Sequence, residues 1–295
     1  MAAIRCTAPT RGHVPGSAAE RACPVHGRQA SNEVLPFAVA APVPSDGPTL
    51  VERYDGGTIK SEEWDVGEVS HRTDGPAVVG YHSDGTVGFE VWAVGGQLHR
   101  IDGPAVVEYR PDGTIKFEEW LVDDKHHRAD GPAVARYHSD GTIGFEVWAV
   151  GGQLHRIDGP AVARYHSDGT IGFEEWLVDD KRHRIDGPAR VRYRPDGSVK
   201  SEDWYVDGKR HRTNGPAHVR YRPDGSVEYE SWWVDGWKVD GPAPVLAAFL
   251  RSRAPNLTTG AAAFLCKTHP WQKWGDISDA DIELAMRLYP DYAES

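Results

Sequence analysis

Short apolar runs of four to eight residues alternate along most of the chain with turn-forming clusters, and no stretch between turns is long enough for a helix until residue 243. In the run Thr114 to Val122, alternation puts Glu118, Trp120 and Val122 on one face of a strand and Ile115, Phe117, Glu119 and Leu121 on the other. Glu and Trp change little between copies while the second face drifts, so the first face is assigned to the packed side. Pro-Asp-Gly and Asp-Gly steps separate the runs. They are hairpin signals, because Gly supplies the positive φ of tight turns.

The runs recur with a fixed period. Asp-Gly-Pro-Ala or a close variant begins at Asp46, Asp74, Asp102, Asp130, Asp158, Asp186 and Asn214, 28 residues apart each time, and an eighth copy at Asp240 follows after only 26. Trp64, Trp92, Trp120, Trp148, Trp176, Trp204 and Trp232 keep the period, as do the His residues from His71 to His211. Tyr81 to Ala105 and Tyr137 to Ala161 are identical except for Val87 against Ile143, the mark of a duplicated two-unit block. The expected fold class is an all-β repeat array: an elongated antiparallel β-meander of about seven 28-residue units, with a small N-terminal zinc-knuckle-like segment and a helical C-terminal cap. At two strands per unit, equivalent residues recur about every 9.6 Å and the array runs roughly 65–70 Å. The competing architecture is a parallel β-solenoid with one unit per coil; two hairpin turns per unit favour the meander.

Four regions follow: a knuckle-like segment at 1–33, a Pro/Ala linker at 34–45, the array at 46–242 and the cap at 243–295. In the last region Thr258 or Thr259 and Ser278 sit at plausible helix N-caps, Pro290 follows the final helix, and a helical cap would cover an otherwise open sheet edge. The unit-specific Trp233 and Trp237 are candidates for the capping contact.

The strings Glu202 to Arg212 (E-x-W-x-V-D-G-K-x-H-R) and Tyr221 to Val227 resemble MORN repeats, and most of all the MORN-variant class of YwqK-type antitoxin repeats. The resemblance covers about Asp46 to Pro242. It departs from the usual repeat in its 28-residue length and in placing Arg where Gly normally follows His. It implies stacked hairpins used for binding, with no fixed ligand, and it raises an antitoxin or immunity role in which an acidic face covers a basic toxin.

Composition narrows the chemistry. Lys and Arg number 33 against 44 Asp and Glu, a formal charge of −11, which argues against nucleic acid or anionic lipid as the main target. The array is the acidic part, with 24 basic and 36 acidic residues. Three Cys and no apolar leader-like stretch fit a soluble cytoplasmic protein with no membrane span. Cys6, His13, Cys23 and His26 form C-x6-H-x9-C-x2-H, a donor set suited to one structural zinc ion in a segment too poor in apolar residues to fold on its own. Through that segment, which carries Arg5, Arg11, Arg21 and Arg28, nucleic-acid tethering is a further alternative. Cys266 and His269 lack a matching pair and read as a buried thiol rather than a metal site.

The rows of His99, Arg100, His127, Arg128, His155, Arg156, His183 and Arg184 admit two readings: contacts to a partner protein, or pairs with Asp and Glu of the adjoining unit. Equivalent His about 9.6 Å apart cannot share one metal ion. The Trp row is read as core. There is no Gly-rich phosphate loop, no G-x-S-x-G and no H-E-x-x-H, and a ladder multiplies one position where catalysis needs unlike groups at one point. A non-enzymatic protein-binding scaffold or adaptor is the expectation.

Overall fold

The computed structural model describes residues 47–239, 241–250 and 253–289. Fifteen strands form one antiparallel meander, from Leu50–Arg53 at one edge to Trp237–Val239 at the other, and six two-stranded hairpins accompany it. Each of the first six units contributes a four-residue strand such as Val106–Tyr109, a five-residue strand such as Ile115–Glu119, and a hairpin such as Leu121–Val122 with Lys125–His126, whereas in the last unit one strand, Val227–Val234, runs straight through Trp232. Thus the array is an antiparallel meander and not a parallel solenoid.

Turn chemistry sets this local order. In the Pro-Asp-Gly turns the Asp carboxylate accepts from the backbone N–H and the hydroxyl two residues on, as Asp112 does from Thr114 at 2.9 and 2.6 Å. Those two bonds hold the Asp112 carboxyl below the usual carboxylate range. Just after each turn the ladder slips by one residue, between Ile115 and Phe117 in this unit, giving a β-bulge.

The strand does not run through Trp120. The long strand stops at Glu119 and the hairpin restarts at Leu121, because the Trp120 N–H donates to Ala133 O at 2.7 Å and its carbonyl accepts from His127 N at 3.0 Å. Alternation breaks there, which corrects the expected face: in the four central units the packed residue is the one after Trp, Ala93 (3% exposed), Leu121 (5%), Ala149 (1%) and Leu177 (5%), while Val122, and Asp65 and Tyr205 after Trp64 and Trp204, are half-buried. The small hairpins are also joined to one another, as by Arg100 N to Leu121 O and Asp124 N to Leu98 O, both 3.0 Å. Each unit therefore touches the next through two ladders.

The array has only a thin buried layer: the Ala of each Asp-Gly-Pro-Ala, the inward Val or Ala of the four-residue strands after the first, and the residue after Trp in the central units. The larger core lies at the end, where helices α1 (Ala243–Phe249), α2 (Thr259–Thr268) and α3 (Asp279–Leu288) and a 3-10 turn at Trp271–Asp276 enclose Leu246, Leu250, Leu265 and Trp274 against Trp232. Thr258 caps α2 by accepting from Ala261 N at 2.9 Å, and Ser278 with Asp281 forms a capping box on α3.

Candidate functional site

The repeated residues converge on one cluster per unit. Around Trp148, the Arg156 guanidinium carbon lies 3.8 Å from the indole centroid. Arg156 Nε donates to Asp158 at 3.0 Å and Nη1 to the Pro160 carbonyl at 3.4 Å, and Nη1 lies 3.6 Å from Glu146. Glu146 is 7% exposed and also accepts from the Tyr165 hydroxyl of the next strand at 3.0 Å. On the far side of the guanidinium, a Cβ added to Gly159 would sit 2.6 Å from the Arg156 guanidinium carbon. The R-x-D-G-P-A part of the motif is thereby accounted for: Arg stacks and donates, the Asp carboxylate and the Pro carbonyl accept, Gly admits the guanidinium, and Ala is buried.

Arg72, Arg100, Arg128, Arg184 and Arg212 stand over Trp64, Trp92, Trp120, Trp176 and Trp204 in the same way. A cation over an indole contributes about 0.5–2 kcal/mol depending on burial. Burial, reinforced by the neighbouring Glu118 and Glu146 carboxylates, pushes the Tyr137 and Tyr165 hydroxyls up to about 12. Every ring of the Trp row from Trp64 to Trp204 is half-buried.

The His row ties neighbouring hairpins together. His99, His155 and His183 pair through Nδ1 with Asp123, Asp179 and Asp207 at 2.8, 2.8 and 2.9 Å, and His127 Nδ1 accepts from Gly151 N at 3.1 Å. Asp123 and Asp124 adopt positive φ of 49° and 62°, a conformation that disfavours L side chains; the Asp124 carboxylate accepts from Leu98 N at 2.8 Å and offsets part of that cost. All eight predicted contact residues, His99, Arg100, His127, Arg128, His155, Arg156, His183 and Arg184, thus engage groups of their own chain.

The other face of the sheet is open. There the cross-strand row reads Phe89, Glu108, Phe117, Arg136, Phe145, Arg164, Phe173 and Arg192, each directly opposite the next. Sequence reading missed this row because its members belong to different strands and line up only once the bulged register is known.

At the end of the array the tail replaces a missing unit. Trp271 Nε1 donates to Glu230 at 3.1 Å, the place a Tyr hydroxyl takes elsewhere, and Trp274, 1% exposed, packs 5.3 Å from Trp232, where other units have Arg. The expected capping residues differ: Trp233 bonds Ser231 at 2.9 Å within its own strand, and Trp237 is 78% exposed.

Cys6, His13, Cys23 and His26 lie outside the described residues, as do the linker and the basic arm. Among the described residues no group of three or more His, Cys, Asp or Glu is arranged to hold a metal ion. Cys266 is half-buried and burial pushes its thiol up to about 12. No helix among the described residues is long and apolar enough to cross a membrane.

No protein-family model matches the chain, and no curated protein does. Two solved structures show low likenesses. An alternansucrase in complex with isomaltononaose is 14% identical over 57% of this chain and 15% of its own, with a TM-score of 0.14. The Photorhabdus luminescens Tc holotoxin pore is 12% identical over 62% of this chain and 13% of its own, with a TM-score of 0.12. The chain spans a small fraction of both, and such scores carry nothing for fold or function.

Proposed function

We propose that the protein is a non-enzymatic scaffold that binds a partner protein along its repeat array. The observation that carries this reading is the division of labour within each unit. The fixed residues, Trp, Arg, Glu, Tyr, Asp and Gly, are consumed in holding one unit to the next, while the open sheet face carries side chains that change from unit to unit, as Glu108 against Arg136 and Phe173 against Ser201. Stacked units that present a varied row of side chains on one outward surface suit extended recognition. A ladder of like groups offers no point where a nucleophile, a base and an oxyanion donor meet. The resemblance to MORN-variant repeats agrees with a binding role.

The test is affinity purification of the full-length protein at native expression level from its host, followed by reconstitution of the recovered partner and measurement of its dissociation constant. One protein recovered stoichiometrically and rebound by the purified chain is the expected result. Recovery of nucleic acid alone, or of no partner, overturns the scaffold reading.

A further inference from the structure

The open face has an electrostatic pattern of its own. Phe117, Arg136, Phe145, Arg164, Phe173 and Arg192 form an unbroken row across six strands, with Arg136 5.0 Å from the Phe117 ring and Arg164 5.4 Å from Phe145. The three Arg side chains are exposed and the three rings half-buried. At the flanks, cations of this face are neutralised: Lys60 by Glu52 at 2.9 Å, Lys116 by Glu108 at 2.9 Å and Arg220 by Glu228 at 3.1 Å. In the centre the corresponding bulge positions hold Gly144, Gly172 and Lys200; the acids of the adjacent row, Glu119, Glu175 and Asp203, pair with His126, Arg182 and Arg210 instead, and none of Arg136, Arg164 and Arg192 has an ion pair among the described residues. An otherwise acidic array therefore carries three evenly spaced cations with aromatic rings between them.

We propose that this row binds a polyproline-II segment of a partner protein with an acidic residue at every third position; the proposal rests on the scaffold reading above and names its surface. Equivalent Arg residues are two strands apart, about 9.6 Å. Polyproline II has three residues per turn at 3.1 Å each, so side chains at i, i+3 and i+6 project from one face about 9.3 Å apart. The two periods differ by about 0.6 Å over the whole row, within the reach of a flexible Arg side chain. An extended β-strand would not match, because its same-face side chains recur about every 6.6–6.8 Å. Pro or small apolar residues between the acids would lie on the three rings, as polyproline-II ligands lie on aromatic-lined grooves. A single-stranded nucleic acid fits less well: it places a charge on every nucleotide, and the adjacent row of the same face carries Glu119 and Glu175.

The test uses the full-length protein and a fluorescent synthetic peptide of four Glu-Pro-Ala triplets, with a control peptide of the same composition whose glutamates are clustered at one end. Fluorescence anisotropy is expected to show the periodic peptide binding about tenfold tighter or more, with affinity falling as salt rises. Arg164→Glu is expected to weaken binding about tenfold or more, whereas Arg220→Glu, at a cation that Glu228 already neutralises, changes it less than about threefold. Arg164→Gln with an unchanged thermal melt and intermediate weakening separates lost recognition from lost folding. Equal binding of the two peptides, tighter binding of an oligodeoxythymidine than of the periodic peptide, or indifference to Arg164→Glu overturns the proposal. If Arg164→Glu still captures the purified partner, the scaffold reading stands and this surface is wrong; if neither partner nor peptide binds, both fail.

Discussion

Replacing Arg156 by alanine tests the repeated cluster where its carboxylate, Glu146, is most buried. The substitution removes a guanidinium held 3.8 Å from Trp148 and bonded to Asp158 and Pro160, and it strands Glu146, 7% exposed, with the Tyr165 hydroxyl as its remaining close partner. Breaking a buried ion pair from one side costs about 3–5 kcal/mol. Arg156 is itself 21% exposed, so water reaches part of the site, and about 2–4 kcal/mol is the working figure. The origin of that loss can be isolated. Glu146→Gln in the intact protein should cost about 1 kcal/mol, but in the Arg156→Ala background it removes the uncompensated charge and should restore about 1–2 kcal/mol. Urea unfolding followed by Trp fluorescence and far-ultraviolet circular dichroism gives the four stabilities of the cycle. Because each unit contacts only its neighbours, hydrogen exchange should accelerate around residues 134–177 before the rest of the array. A loss below about 0.5 kcal/mol for Arg156→Ala, or strict additivity with Glu146→Gln, would refute the cluster as the element that joins units.

Trp274→Ala, which empties a 1% exposed site against Trp232 and Phe249, should cost about 3–5 kcal/mol and expose the last unit, seen as a lower melting temperature and new dye binding. The Tyr81, Tyr137 and Tyr165 hydroxyls, pushed up to about 12 mainly by burial, ionise later in the folded chain than in the unfolded one. Stability measured by urea melts should therefore be level up to about pH 10 and fall between about 10 and 12, where the unfolded chain loses protons first. The Cys266 thiol, pushed up to about 12 by burial, should react with Ellman's reagent in the folded protein no faster than about a tenth of the unfolded rate.

Much of this fold could be read from the letters, because its causes are local. The 28-residue period, the Pro-Asp-Gly turns and the caps at Thr258 and Ser278 each depend on a few consecutive residues. The break at Trp120 was not legible: its peptide groups bond to Ala133 and His127, while the letters Glu118, Trp120 and Val122 keep an unbroken period of two in the sequence. Nor could the two readings of the His and Arg rows be separated without the cross-loop geometry that puts Arg156 between Trp148 and Gly159. The Phe and Arg row was hidden for a related reason. Arg136 and Phe145 are opposite only because of a bulge between Arg136 and Tyr137, and a one-residue slip would send them to opposite faces. Trp271 and Trp274 look like ordinary helix-tail aromatics until the last unit is seen to lack both its Arg and its following Tyr.

Hydroxyl-radical footprinting of the full-length protein with and without its purified partner tests the central claim most directly, because it reads both surfaces of the array in one experiment. The account predicts that oxidation of Phe117, Phe145 and Phe173 falls on binding while that of the exposed Ile101, Ile157 and Ile185, beside the His and Arg rows, is unchanged. Protection of those isoleucines with the phenylalanines unaffected would place the partner on the His and Arg rows and contradict it.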